Sequence, residues 1–295
     1  MTSENLYNKP LVSIQILNWN RAEETQMAIA SAYKQTYENI EVVLVDNGST
    51  DNSIELSKQN FPDLNIISLD KNHGCPGGRN RGIASCNGDY IFYLDNDGVL
   101  HEEAVENAIK TILHYDNVGV VTGTIYDFKN VSEIDAQCKI RSKKVYEYNN
   151  FQGGICMHHK SIYETTGLYP EHFMYGAEEM YLTYKLFDND YKIIKNESVV
   201  LWHKKSEIAR NRVGEQLGSY FNKLYVAIVL YPLMPMLIFA TGFVVRYNYY
   251  AFKKGFGMQF LNKLSRDYFT TIKKGLKARQ PVSLNAYYKV KEFKI

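Results

Sequence analysis

The chain is poor in cysteine: four in 295 residues (Cys75, Cys86, Cys138, Cys156), widely spaced and with no Cys-x-x-Cys pair. That excludes a zinc ribbon and a disulfide framework, and it reads as free thiols in a reducing compartment. The first ten residues, Met1 to Pro10, are polar and lack the apolar core of a signal peptide, so export by the usual route is not expected. There is no internal repeat and no low-complexity segment. Acidic residues are nearly missing from the C-terminal fifty: residues 246–295 hold twelve Lys/Arg against Asp267 and Glu292. That end is +10, so the first 245 residues are −8 within an overall charge of +2. A split of this kind implies a partner for the basic end, either an anionic membrane surface or a nucleic acid. No RNA- or DNA-binding module is evident, so nucleic acid is not the expected partner.

What is present is a run of short apolar segments that end in polar clusters. Leu11 to Leu17 runs into Asn18-Trp19-Asn20-Arg21, and Ile40 to Val45 runs into Asp46-Asn47-Gly48-Ser49-Thr50-Asp51. Tyr90 to Leu94 runs into Asp95-Asn96-Asp97. Further strands are predicted over 65–69, 118–124, 152–157 and 192–201, the last followed by Trp202-His203. Residues 22–35 have helical apolar spacing, and Asp51 is placed to cap a helix over 52–60. Such alternation predicts a mostly parallel, helix-covered sheet. Open sheets of this class bind ligands at the carboxyl ends of their strands. Two carboxylates around one amide at such an end suit a hard divalent cation bridging to phosphates.

Residues 71–88 concentrate Gly74, Gly77, Gly78 and Gly82 with Arg79 and Arg81, suiting a loop whose backbone approaches a ligand and whose guanidinium groups meet phosphate. Residues 126–150 read as a polar, irregular excursion. Leu224 to Val245 carries no charge and is long enough to span a bilayer, but Pro232 and Pro235 break a simple helix there. The basic, aromatic-rich stretch that follows suits a position at a membrane surface.

Taken in order, these segments resemble the family-2 glycosyltransferases, inverting enzymes of the GT-A fold, over roughly residues 10–205. The similarity lies in the Asn18-Trp19-Asn20 turn, the Asp-Asn-Gly-Ser-Thr-Asp run from Asp46, the Arg79-Asn80-Arg81-Gly82 loop, the Asp-x-Asp at Asp95 and Asp97, and the acidic motif within Phe173 to Leu182. The resemblance implies a Rossmann-like catalytic domain over 11–215, with a nucleotide-binding half (11–100) and an acceptor-binding half (101–215). A short tail (1–10) precedes it, and a helical, membrane-associating extension (216–295) follows.

It also implies site roles. Asp46 would read the nucleobase, with Asn18, Trp19, Asn20, Gly74, Arg79 and Asn96 around the nucleotide, and Gly153 and Gly154 would border the donor sugar. Asp95 would lie between ribose and metal, and Asp97 would hold Mn²⁺ or Mg²⁺, joined by His203. The catalytic base would be Glu179, with Glu178 in reserve, because the run Glu178-Glu179-Met180-Tyr181-Leu182 carries Tyr181 where the family has a further acid. The expected reaction is transfer of a sugar from a UDP- or dTDP-sugar to a hydroxyl of a growing, lipid-linked bacterial glycan, at the inner face of the cytoplasmic membrane. The absence of Gln-x-x-Arg-Trp after residue 205 sets the chain apart from processive synthases. Rival readings are a non-catalytic nucleotide-sugar-binding or scaffold protein and, more remotely, a sugar nucleotidylyltransferase.

Overall fold

The computed structural model describes residues 9–128, 142–204 and 212–292. Nine strands among them form one sheet: β1 (Val12–Asn18), β2 (Ile40–Asp46), β3 (Asn65–Ser68), β4 (Tyr90–Asp95), β5 (Gly98–Leu100), β6 (Val118–Phe128), β7 (Val145–Tyr148), β8 (Ile155–His159) and β9 (Lys192–Lys204). Their order is β3-β2-β1-β4-β8-β6-β9-β5, with β7 also paired to β9. β1 to β4, β6 and β9 run one way; β5, β7 and β8 run the other. The sheet is therefore mostly parallel, and its order reverses around β1, the place beyond which open sheets of this class bind ligands.

The central strands are apolar on both faces because both are covered. Ile14, Ile16, Leu44, Phe92 and Leu94 pack under α1 (Ala22–Tyr33) and, farther along the sheet, α4 (Ala104–His114). Val43, Val45, Ile91 and Tyr93 face the other way, toward α3 (Gly74–Ile83) and the elements that follow β8. A small helix, α2 (Ser53–Asn60), lies against α1, its entry shaped by Asp51, whose Oδ1 accepts from the Ser53 amide at 3.1 Å.

The glycine-rich stretch is helix α3, not a ligand-facing loop. A Cβ at Gly78 would meet Leu17 Cδ1 at 2.5 Å, and one at Gly82 would meet Gln15 Nε2 at 2.2 Å. These glycines let the helix lie directly on β1, which no larger residue would permit. The expected irregular excursion is partly ordered strand, since β6 continues to Phe128 and β7 runs from Val145 to Tyr148; residues 129–141 of it, Cys138 included, lie outside the described residues.

After β8 come α5 (Ile162–Thr166) and α6 (Glu178–Asp188), then β9. The C-terminal helices are α7 (Arg212–Leu230), α8 (Leu233–Lys253), α9 (Gly257–Lys277) and α10 (Leu284–Glu292). The expected boundary at 216 falls inside α7, and Phe221, Leu224, Phe243 and Phe260 share one core with Leu182, Tyr184 and Leu186 of α6. The charge-free run 224–245 is divided: α7 ends, the chain turns at Tyr231-Pro232, and α8 begins. Arg279 pins that turn by donating to the carbonyls of Ile228 and Tyr231. Pro235 sits in the first turn of α8, where its missing N–H costs nothing. No helix among the described residues is long and apolar enough to cross a membrane.

Candidate active site

Three strand ends meet through Asn18. In register, Asn18 lies beside Asp46 on β2, and Leu17 lies beside Asp95 on β4. The buried Asn18 amide donates to Asp46 Oδ2 at 2.8 Å, while its oxygen accepts from Asn96 Nδ2 and Thr25 Oγ1, each at 2.8 Å. Asp46 Oδ1 accepts from the Ser49 amide at 2.9 Å, and Asp46 has no exposed surface. The carboxylate expected at the nucleobase thus fastens the ends of β1 and β2. Asn20, at φ 53°, accepts from the Thr50 amide at 2.7 Å and donates from its own amide to Ser49 Oγ at 2.9 Å. Trp19 is left part-exposed beside these loops.

Asp95, Asp97 and His203 converge: one ligand atom from each falls within 4.8 Å of the others. β5 causes this, because it turns back immediately after Asp97 and pairs Gly98 with His203. His203 is therefore inside β9, which runs three residues beyond its expected end at 201. His203 Nε2 lies 3.1 Å from Asp97 Oδ1, and the other oxygen of Asp97 pairs with Arg21. Asp97 and Arg21 are both buried, so their pairing is needed to hold either charge there. Two carboxylates and an imidazole fit a divalent cation such as Mn²⁺ or Mg²⁺, with the nitrogen donor favouring Mn²⁺.

Arg79 couples this cluster to the acidic motif. Its Nη2 donates to Asp95 Oδ1 at 3.4 Å, and its Nη1 lies 3.9 Å from Glu179 Oε1, in ion-pair range. The guanidinium is buried and stacks over Tyr93 at 5.4 Å. Gly153 and Gly154 border this group from β8's entry: a Cβ on Gly153 would lie 2.4 Å from both Arg79 Nη1 and Glu179 Oε1. Arg81 points elsewhere, donating to the Gly77 carbonyl and pairing with Glu171 at 3.7 Å.

The two glutamates at the start of α6 differ in environment. Glu178 is fully buried, and burial, then the Glu179 charge, push its carboxyl pKa up. Glu179 retains some exposure toward Asp95 and Gly153; desolvation raises its pKa while Arg79 opposes the rise. The turn before them is built on Gly176 (φ 82°) and Ala177 (φ 74°). Asn222 of α7 donates to the carbonyls of Tyr175 and Gly176 at 3.1 and 2.9 Å, and the Cys75 amide donates to the Met174 carbonyl at 2.8 Å. Gly74, at φ 75°, permits the latter contact, since a Cβ there would lie 2.5 Å from the Phe173 carbonyl oxygen. Gly74 thus positions the acidic loop. Asn222 and Arg21 escape a reading of motifs alone; the only trace of Arg21 is its place directly after the first polar turn.

Comparisons with known proteins bear on the family and the fold. Residues 13–168 match the sequence profile described as Glycosyl transferase family 2. An uncharacterized glycosyltransferase of Haemophilus influenzae is 33% identical over 155 residues, which is 50% of this chain and 59% of that protein. The mannosyltransferase PcManGT from Pyrobaculum calidifontis, solved in complex with GDP-Man and Mn²⁺, superposes with a TM-score of 0.57 at 17% identity. That likeness covers 98% of this chain and 89% of the other. S. aureus TarS 1-349 in complex with UDP gives a TM-score of 0.56 at 18% identity over 74% of this chain and 64% of its own. The fold is GT-A.

Proposed function

The chain belongs to glycosyl transferase family 2, and from that premise we propose an inverting, metal-dependent glycosyltransferase that moves a sugar from a UDP- or dTDP-sugar to a glycan hydroxyl. One observation carries the reading: a carboxylate–carboxylate–imidazole cluster and a separate glutamate, Glu179, share a single buried arginine. Asp95, Asp97 and His203 would hold Mn²⁺ or Mg²⁺, which when bound neutralises charge on a departing nucleoside diphosphate. Glu179 takes the acceptor hydroxyl proton. Desolvation raises its pKa, which strengthens it as a base, and the Arg79 charge opposes that rise. Glu178, buried and uphill to ionise, packs behind it. Asn18, Asn20, Asp46 and Asn96 shape the nucleotide end, and Trp19 offers a part-exposed ring beside it.

The acceptor is proposed to be lipid-linked, with the protein on the inner face of the cytoplasmic membrane. The support is α8, which exposes Met234, Ile238, Val245, Tyr249 and Phe252 along one side, beside Arg246 and Lys253. At 100° per residue these five lie within about 60° of one another, a stripe rather than a scatter. The experiment is a nucleotide-release screen of the purified protein with Mn²⁺ and a panel of nucleotide sugars. Turnover of a UDP- or dTDP-sugar that disappears in Asp97→Ala supports the reading. Absence of binding by every such donor, with Asp97→Ala indistinguishable from wild type, rejects it.

A further inference from the structure

A second concavity adjoins the acidic loop. It is a groove of about 420 Å³ between that loop and the C-terminal helices, lined by Tyr175, Arg212, Gln216, Ser219, Lys223 and Lys254 among others. Its wall is part of the loop that carries Glu179. Tyr175 belongs to both: its carbonyl is held by Asn222, and its hydroxyl pKa is raised by desolvation first and then by Asp95, Glu178 and Glu179. The groove floor is tied to the same loop, since a Cβ on Gly176 would lie 2.8 Å from Ser219 Oγ. Whatever fills the groove therefore lies alongside the base rather than on a remote face.

Among the described residues, the lining places Lys223 and Lys254 in one groove with a single acid, Glu215. Lys254 Nζ is directed by Gln216, donating to its Oε1 at 3.3 Å. Burial, then the neighbouring Lys254, lower the pKa of Lys223, so two ammonium groups are held close against their mutual repulsion. Such an arrangement is relieved by an anion. We infer that this groove is an acceptor subsite that recognises a phosphate or other acidic group on the acceptor, placing a nearby hydroxyl at Glu179. The inference rests on the transferase reading and narrows it: the acceptor is anionic, and the residues that select it come from the C-terminal helices.

The test uses the full chain with Mn²⁺ and calorimetric binding of three probes: glucose 6-phosphate, octyl phosphate and the neutral octyl glucoside. At least one anionic probe should bind tenfold or more tightly than octyl glucoside. Which of the two does so separates a sugar-borne phosphate from a lipid-borne one. The Lys223→Gln/Lys254→Gln variant should weaken that binding at least fivefold, while Lys223→Arg/Lys254→Arg retains it. Binding of UDP with Mn²⁺ should stay within twofold in both variants, which also shows that they are folded. Equal binding of neutral and anionic probes, no binding of either anion, or an unchanged Gln variant overturns the inference. Loss of UDP binding in the wild-type protein would instead count against the transferase reading itself.

Discussion

Gly154 leaves the space that the Asp95 carboxylate occupies: a Cβ built on Gly154 would lie 1.9 Å from Asp95 Oδ2. The backbone is equally committed, because the Asp95 amide donates to the Gly154 carbonyl at 3.1 Å. A Gly154→Ala substitution must therefore turn the carboxylate away from Asp97 and His203. Displacement of a catalytic group by about 1 Å costs on the order of 100-fold in rate. The expectation is a loss of that order in turnover, with weaker Mn²⁺ binding, and a thermal stability cost of about 1–3 kcal/mol. Metal titration followed by donor hydrolysis checks it; near wild-type values would show that Asp95 has room to move.

Much of this site was legible in the sequence because its parts lie at strand ends, and strand ends are announced by a change from apolar to polar. Asp46, Asp95 and Asp97 are legible that way, whereas Glu179, at the start of a helix, is legible only through the family resemblance. What escaped was set by pairing between distant segments. The resemblance implies His203 as a ligand, but the return of β5 onto β9 that brings it to Asp97 is encoded by nothing local to either residue. Arg21 and Asn222 escaped for the same reason, as they act on groups 76 and 46–47 residues away. The glycines of α3 were visible, but composition alone does not tell a helix packed on a sheet from a loop wrapped on a phosphate. The antiparallel β8, inserted between β4 and β6, likewise follows from the whole sheet and not from its own sequence.

The two glutamates make separable predictions. Glu179 has access to the cluster and an arginine that favours its ionised form. Glu179→Gln should lower turnover by at least 10²–10³-fold while leaving donor affinity within a few-fold, the pattern of a lost general base. Glu178 is buried with one oxygen lacking a hydrogen-bond partner. Glu178→Gln removes a carboxyl that resists ionisation, so activity should remain within about tenfold. Steady-state kinetics with donor titration distinguishes them, and the reverse pattern would transfer the role to Glu178.

Arg21 should matter to the metal without touching it. It holds one oxygen of Asp97 while the other faces His203. Removing such an outer partner typically costs 10–100-fold in metal affinity. Arg21→Gln also leaves a buried carboxylate poorly paired, at about 3–5 kcal/mol. We expect a lowered melting temperature that added Mn²⁺ partly restores, because the cation substitutes for the missing charge. A variant with normal Mn²⁺ affinity would show that Arg21 is structural only.

The stripe on α8 predicts membrane binding that depends on both oil and charge. Ile238 and Val245 are among its most exposed members, at 68% and 75%. Ile238→Glu/Val245→Glu should reduce flotation with anionic vesicles at least fivefold and leave nucleotide binding intact. High salt should weaken wild-type flotation in part, since screening acts on the basic residues and not on the apolar contact. Equal flotation of the variant, or equal binding to neutral vesicles, would count against an anionic membrane as the partner.

His158 sets the last expectation, which concerns stability under acid. It lies fully buried on β8, with Cys156 Sγ 3.2 Å from Nε2, Nδ1 without a partner, and Tyr163 stacked on its ring at 6.0 Å. Burial, aided by the nearby Arg79 charge, pushes its pKa down to about 3. The imidazole is therefore neutral in the fold, while in the unfolded chain it takes up a proton near pH 6.5. Above that pH the group contributes no pH dependence. As pH falls from 6.5 toward 3, the unfolded state binds a proton that the native state refuses, and stability drops by up to about 1.4 kcal/mol per unit. His158→Phe removes the titration, so urea midpoints at pH 8, 6 and 5 should fall less steeply than in wild type. Whatever offset the larger ring introduces at pH 8 is a packing effect and cancels from the slope. Parallel slopes would show that the acid sensitivity of this fold is governed elsewhere.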